Sequence, residues 1–271
     1  MTRITVLEHA LSSAYHYRIV EKTIIMKKSI LNMMAALAIA ASCTAAQKTD
    51  VFTTKSGKEV KITCIKHASM QIQYDGLEIE VDPVSDGVLP ATDYAQFPKA
   101  NVILVTHEHR DHFDREAIHC LRTPATTIYT NQAVYNMYHN GFVVSNGDSI
   151  AYRDDVILKV VPAYNTTERP EGGYFHPKGR DKGYVLTLDG LAIYIAGDTE
   201  PIPEMAQLGD IDVAFLPCNQ PYTMTIDQLV EAAKTIRPKV LFPYHYSNTI
   251  INQAVMKLAG TDIDVRIRDY K

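Results

Sequence analysis

The sequence predicts an α/β protein, and three features of the chain support that fold class. Short apolar segments rich in Val and Ile recur at strand length after residue 59. Helical segments that begin with capping residues lie between several of them. Polar residues of the types that bind metals follow some of these segments directly. The strands therefore form the frame, and we expect their ends to provide the functional residues.

The first part of the domain, 59–82, predicts antiparallel strands. Its apolar residues alternate with polar ones, and Asp75-Gly76 is a hairpin signal. Asp82-Pro83 ends this region and begins a loop that runs to Pro98. Further strands are predicted at 102–105, 126–130, 156–161, 183–188, 191–196, 213–216, 240–242 and 264–267.

Three helices are predicted between these strands. Asp114 is the expected N-cap of a helix at 115–121, and Asn140-Gly141 is expected to end a helix at 132–139. A capping box at 225–228 begins a helix that runs to about residue 236. Residues 165–182 form a long polar loop rich in Gly and Pro, and a loop of that length in a compact domain is usually functional.

The segment 26–46 has the pattern of a secretory signal peptide. Met26-Lys27-Lys28 is followed by an apolar run at 30–41 and by small residues up to Ala46. We therefore expect an exported protein, periplasmic or extracellular, whose mature domain occupies 50–271. Residues 1–25 are interpreted as an upstream extension that precedes the true start at Met26. The alternative to cleavage is a lipoprotein in which a lipid on Cys43 attaches the chain to a membrane.

Composition excludes some classes of function. Lys and Arg total 27 against 31 Asp and Glu, a net charge of -4, so the chain lacks the basic surplus of nucleic-acid-binding proteins. Beyond the signal segment, Cys64, Cys120 and Cys218 are too few and too scattered to form a disulfide framework.

A metal site is indicated by the segment 106–114, which directly follows the strand at 102–105. Imidazole and carboxylate groups are ligands that zinc accepts. His107 and His109 are one residue apart and can hold one metal ion, whereas Asp111 and His112 can reach a second ion beside it. The H-x-H-x-D-H spacing is much more specific than a lone histidine, and it differs from the helical H-E-x-x-H pattern.

The same arrangement, a strand followed by a potential ligand, recurs later in the chain. Asp198 follows Gly197 at the end of one strand, and His245 follows another. Each alone would more often be a structural residue, but together with the histidine cluster they favour one shared site. Asn165, after the strand at 156–161, is a further candidate.

The order of these motifs resembles that of the metallo-β-lactamase-fold hydrolase superfamily. The likeness extends from about Val60 to the end, and is greatest to its small stand-alone members, such as ascorbate-phosphate lactonases and N-acyl-phosphatidylethanolamine phospholipase D. It implies an αβ/βα sandwich of two mixed sheets with outer helices. It also implies two divalent metal ions, with zinc favoured over manganese or iron. The implied ligands are His107 and His109 for the first metal, Asp111, His112 and His245 for the second, and Asp198 as the bridge.

One departure from that family concerns the first metal. A third histidine is expected after Pro162-Ala163, but the chain has Tyr164-Asn165 there. Either Asn165 is a weak oxygen ligand or the ligand comes from elsewhere, and His176 in the following loop is the candidate. A carboxylate at Asp198, instead of a thiolate, further indicates that the protein is not a true β-lactamase.

The resemblance implies a hydrolase in which a metal-bridging hydroxide attacks an ester, lactone or phosphodiester of a small or lipid-derived molecule. Asp111 and Asp198 are the expected catalytic residues, and Asp111 would also orient the nucleophile. The cations Lys178, Arg180 and Lys182 favour an anionic, phosphate-bearing substrate. The competing interpretation is a catalytically degenerate binding protein that keeps the fold.

Overall fold

Two seven-stranded mixed sheets form the frame of the protein in the computed structural model, which describes residues 49–86, 88 and 91–269. The first sheet contains, in spatial order, β1 (Thr49–Thr53), β2 (Glu59–Lys66), β3 (Ser69–Tyr74), β4 (Leu77–Val81), β5 (Val102–Leu104), β6 (Thr127–Thr130) and β7 (Phe142–Val143). The second contains β8 (Ser149–Arg153), β9 (Val156–Ala163), β10 (Asp181–Leu188), β11 (Leu191–Ile195), β12 (Val213–Pro217), β13 (Val240–Tyr244) and β14 (Asp264–Val265). In each sheet the first four strands pair antiparallel and the later ones pair parallel.

Helices connect the parallel strands, as parallel pairing requires crossover connections. They are α1 (Arg115–Leu121), α2 (Gln132–Tyr138), α3 (Ile226–Ile236) and α4 (Asn252–Leu258), with 3-10 turns at Tyr94–Gln96 and Pro203–Gln207. The predicted caps are confirmed: Asp114 accepts hydrogen bonds from the first turn of α1, and Thr225 forms a capping box with Gln228 at α3. In the described part of the chain, no helix has the length and apolar character needed to cross a membrane.

The burial of β5 shows how the layers are arranged. Val102 and Leu104 face the core between the two sheets, which also contains Phe215 of the second sheet. Ile103 points to the other face and packs with Ile118 of α1 in a separate cluster. Alternate residues of one strand therefore serve two interfaces, which requires apolar side chains throughout. The predicted sandwich of two mixed sheets with outer helices is confirmed.

Strands β1, β7 and β8 and helix α4 were not predicted from the sequence, and one predicted helix end is wrong. The edge strands β1, β7 and β8 are short or largely exposed, and α4 has no side-chain cap at Ile251, so neither periodicity nor a capping signal marks them. Helix α2 was predicted to end at His139, with the left-handed residue at Asn140-Gly141. It ends at Tyr138, because His139 itself adopts the left-handed conformation (φ 57°). The predicted extension at 1–25 and signal segment at 26–46 lie outside the described residues.

Glu80 is a buried acid in β4 whose protonation affects stability. Its Oε1 accepts a hydrogen bond from Gln71, its Oε2 has no partner among the described residues, and burial raises the pKa of the carboxyl to about 8. The folded state thus keeps a proton that the unfolded chain releases near pH 4.5, so stability falls as pH rises between these values.

We therefore expect Glu80→Gln to become more stable relative to the parent protein by up to about 1.4 kcal/mol per pH unit between pH 5 and 8. Urea unfolding of both proteins at several pH values, at equal metal content, measures the difference. A stability difference that is independent of pH would contradict a neutral, buried Glu80.

Candidate metal centre

The ends of several strands place their ligand-type residues in one cluster. The loop after β5 provides His107, Asp198 follows β11, and His245 follows β13. The turn between β2 and β3 provides His67, and the long loop between β9 and β10 provides His176. Parallel strands bring their carboxyl ends to one edge of a sheet, so residues distant in sequence meet there.

Backbone conformation at this edge is restricted. A Cβ on Gly197 (φ +66°) would lie 2.6 Å from the carbonyl oxygen of Lys182, so only glycine lets this turn approach β10. His67 and His245 both have φ 49°, a region that non-glycine residues rarely adopt. The His245 amide donates to the His67 carbonyl oxygen at 3.1 Å, which ties the two turns together.

The first group of potential ligands is His107, His109 and His176. His109 Nδ1 lies 3.1 Å from His107 Nε2 and 3.2 Å from His176 Nε2. Three ring nitrogens this close cannot all be satisfied by one another when the rings are neutral, because a neutral imidazole has one donor and one acceptor. A metal ion accepts lone pairs from all three, so this donor set fits a divalent cation such as zinc.

The second group is Asp111, His112 and His245, and the structure adds His67 to it. Asp111 Oδ2 lies 3.0 Å from His67 Nε2 and 3.5 Å from His245 Nε2. His67 was not among the ligands predicted from the sequence. Its ring nitrogen lies with the other three donors within 4.8 Å, as close as the predicted ligands are to each other.

Asp198 joins the two groups. This buried carboxylate lies 3.2 Å from His112 Nε2 through Oδ1, and 3.2 Å from His245 Nε2 and 3.3 Å from His176 Nε2 through Oδ2. Despite these short distances, His112 Nε2, Asp198 Oδ1 and both ring nitrogens of His245 have no partner in hydrogen-bonding geometry within the described structure. Buried polar atoms of this kind are normally satisfied, and two bound cations would satisfy most of these.

Protonation states are consistent with metal binding. Burial lowers the pKa of His107 well below 6.5 and that of His176 to about 4, so these rings are neutral ligands at pH 7. Burial also opposes charge on His112 and His245, but Asp198 and neighbouring carboxylates raise the pKa of His245 to about 9 and that of His112 well above 6.5. His112 and His245 would have to release these protons to bind a cation through Nε2.

Asn165 and His176, the two candidates for a third ligand in the first group, contact each other directly. Asn165 Oδ1 accepts hydrogen bonds from the backbone amide of His176 at 2.8 Å and is 2.9 Å from His176 Nδ1, while its Nδ2 donates to the Tyr222 carbonyl. Both polar ends of Asn165 are thus engaged with protein groups, which favours His176 over Asn165 as the ligand. It positions His176 instead, and leaves Nε2 of that ring directed at the cluster.

Asp82, at the end of β4, supports the second group and was missed by the sequence analysis. Its carboxylate accepts from the amide (2.7 Å) and hydroxyl (2.7 Å) of Thr106 and lies 2.8 Å from His112 Nδ1. It therefore fixes the ring of His112 with Nε2 facing Asp198. In the sequence, Asp82 is marked only by its position after a strand. An Asp-Pro pair in that position is common in turns and does not by itself indicate a role at a metal site.

For Asp82→Asn, we expect metal affinity at the second group to fall by about 10- to 100-fold, the usual effect of removing a supporting carboxylate. Competition with a chromophoric zinc chelator measures this affinity. The exposed Asp154→Asn serves as a control for the loss of one negative charge. Equal affinities for the two variants would show that Asp82 does not support the metal ligands.

The three cations of the polar loop are engaged elsewhere. Arg180 pairs with Asp181 at 2.7 Å and with Glu108 at 3.2 Å, and Lys178 pairs with Glu204 at 3.0 Å. Lys182 donates to the carbonyl of Gly179. None of them lines the cavity next to the cluster. The preference for phosphate-bearing substrates that they suggested therefore loses this support.

Comparisons with known proteins agree with this geometry. A β-lactamase superfamily domain model matches residues 61–245. A UPF0173 metal-dependent hydrolase of Ligilactobacillus salivarius is 35% identical over 195 residues, which cover 69% of this chain and 85% of that protein. A UPF0173 metal-dependent hydrolase of Archaeoglobus fulgidus is 28% identical, covering 77% of this chain and 95% of that one.

Solved structures show the same relationship. A protein of Parabacteroides distasonis, assigned as a metal-dependent hydrolase, is 49% identical with a TM-score of 0.78, covering 82% of this chain and 99% of that chain. Igni18, a metallo hydrolase of Ignicoccus hospitalis, is 27% identical with a TM-score of 0.62, covering 78% of this chain and 95% of that chain. The chain belongs to the metallo-β-lactamase superfamily and, within it, to the UPF0173 metal-dependent hydrolases.

Proposed function

We propose that this metal-dependent hydrolase binds two divalent metal ions, zinc being the expected one, and cleaves an ester, lactone or phosphodiester of a small or lipid-derived molecule. The observation that supports two ions is the position of Asp198. Its two oxygens lie within 3.3 Å of ring nitrogens from both ligand groups. A single ion at either group would leave the other set of converging nitrogens unpaired.

Two cations held by these ligand groups would supply Lewis-acid chemistry, lowering the pKa of bound water and stabilising negative charge that develops on the substrate. The protein's own groups hold the reactants. The side chain of Asp111 is about one-third exposed to the adjacent cavity and is fixed by His67, so it is placed to accept a proton from the attacking water. Asp198 is almost completely buried, which keeps its carboxylate in place between the two groups.

We propose further that the protein is exported and that 50–271 forms the mature hydrolase domain. The basic, apolar and small-residue pattern of 26–46 supports a cleaved signal, and the described sheets begin shortly after it, at Thr49. N-terminal sequencing of the protein secreted by its host tests this. A mature chain that retains residues before Met26 would contradict the signal, and a lipid-modified Cys43 would identify a lipoprotein.

Metal analysis of the purified protein, together with assays on a lactone, an aryl ester and bis(4-nitrophenyl) phosphate, tests the hydrolase function. We expect two metal ions per chain, as a binuclear site requires, and turnover that a chelator abolishes and zinc or manganese restores. A protein that binds less than one ion and turns over nothing after metal addition would instead be the degenerate binding protein.

A further inference from the structure

The cavity next to the metal centre has walls that bear no charge. It has a volume of about 300 Å³, and its floor is formed by the ligand cluster. Outside that cluster its lining consists of Phe175, Tyr222, Asn219 and Ser247. Cavities of this size enclose small molecules, and the few polar groups in the walls determine which ones fit.

Two aromatic rings form one wall. Phe175 and Tyr222 contact each other edge to face, with ring centroids 4.9 Å apart and planes at 68°. Tyr222 remains 45% exposed, so much of its ring is accessible to a ligand. A planar ring bound there can add a third member to the edge-to-face arrangement.

This wall is fixed relative to the metal ligands. Phe175 directly precedes His176 in the chain, and the carbonyl of Tyr222 accepts a hydrogen bond from Asn165, the residue that holds His176. The guanidinium of Arg169 lies 5.2 Å from the centre of the Phe175 ring, and its nitrogens bond to the Gly172 carbonyl. The wall therefore has a defined position relative to the ligand cluster.

The polar groups of the cavity are neutral donors. The Tyr222 amide donates to the Asn219 carbonyl at 3.0 Å, which places Asn219 beside the aromatic wall. Asn219 Nδ2 donates to Ser247 at 3.3 Å and has a second N–H to offer to a ligand. In contrast, sites built for phosphoryl groups generally add Arg or Lys to the metal ions, and no such residue among those described lines this cavity.

We propose that the substrate is an uncharged carboxylic ester or lactone with an aromatic ring next to the scissile carbonyl. The ring packs on Phe175 and Tyr222, and the carbonyl lies over the metal centre with Asn219 beside it. This inference rests on the proposed hydrolase function and selects one of its substrate classes. The hydrolysis adds water across the acyl C–O bond and yields a carboxylic acid and an alcohol.

A matched pair of esters tests the ring: methyl phenylacetate and methyl cyclohexylacetate share their leaving group and differ in planarity. We expect kcat/KM to be about 3- to 10-fold higher for the aromatic ester, the effect of one favourable aromatic contact. Tyr222→Ala and Phe175→Leu should remove that preference, whereas Lys178→Ala, at an exposed cation of the same loop, should keep it. Metal content is measured for each variant, and equal values show that the metal ligands are intact.

A binding measurement separates this inference from the hydrolase function. Calorimetry of the zinc-loaded protein with phenylacetohydroxamic and cyclohexylacetohydroxamic acids should show the same preference, lost in Tyr222→Ala. Absence of the preference, its persistence in both wall variants, or faster turnover of bis(4-nitrophenyl) phosphate than of the aromatic ester would overturn the proposed substrate class. A preserved binding preference without hydrolysis of any ester would refute the hydrolase function while supporting the aromatic site.

Discussion

Replacing Asp198 by Ala is expected to lower kcat/KM by about 10³-fold, equivalent to roughly 4 kcal/mol of transition-state stabilisation. Its carboxylate is the side chain that lies near ring nitrogens of both ligand groups. Without it, the two positive ions would face each other with less negative charge between them. We therefore also expect the variant to retain at most one tightly bound ion.

The nearly isosteric Asp198→Asn distinguishes loss of charge from loss of packing. Asparagine keeps the shape of the side chain in this buried site, so the variant should fold like the parent protein. It should nevertheless lose most of the activity and metal content that Asp198→Ala loses. Asp154→Asn, on the exposed turn before β9, provides the control. Circular dichroism and elemental analysis of the variants give the two readouts. Full turnover with two bound ions in Asp198→Asn would exclude the bridging role.

Residues of the site that follow a strand directly were predictable from the sequence. His107, Asp198 and His245 each come after a short apolar run, and that local pattern places them at the sheet edge. Asp82 acts through a partner far along the chain, namely His112. No local spacing reports such contacts, because they depend on how loops from different strands pack.

The fold was predictable to a similar extent and for similar reasons. Buried strands such as β12 are apolar throughout, and the capped helix α3 begins at a recognisable motif. Edge strands do not have this signature: Phe142 in β7 is 63% exposed, and β8 has no fully buried residue. Such strands are stabilised by hydrogen bonds to a neighbour, which their own side chains do not reveal.

Loss of the His176 ring is the second large effect that we expect. His176→Ala removes one of three nitrogens at the first ligand group, so affinity for that metal should fall by more than about 100-fold, beyond the range typical of a supporting residue. Stepwise zinc titration against a chelator measures the two affinities separately. The control is His119→Ala, because His119 lies exposed on α1. If His176→Ala and His119→Ala bound two ions equally well, His176 would not be a ligand.

Asn165 provides the complementary test, because its contact with the first ligand group is through His176. Its Oδ1 lies 2.9 Å from His176 Nδ1, so it favours the tautomer with Nδ1 protonated and Nε2 free to bind a metal. Asn165→Ala should therefore weaken the first metal by about 10- to 100-fold, whereas Asn165→Asp, which keeps an acceptor there, should restore most of the affinity. A direct oxygen ligand would behave differently, since a carboxylate would then bind the metal more tightly than the parent amide. The order of affinities among these variants thus distinguishes a positioning role for Asn165 from ligation by it.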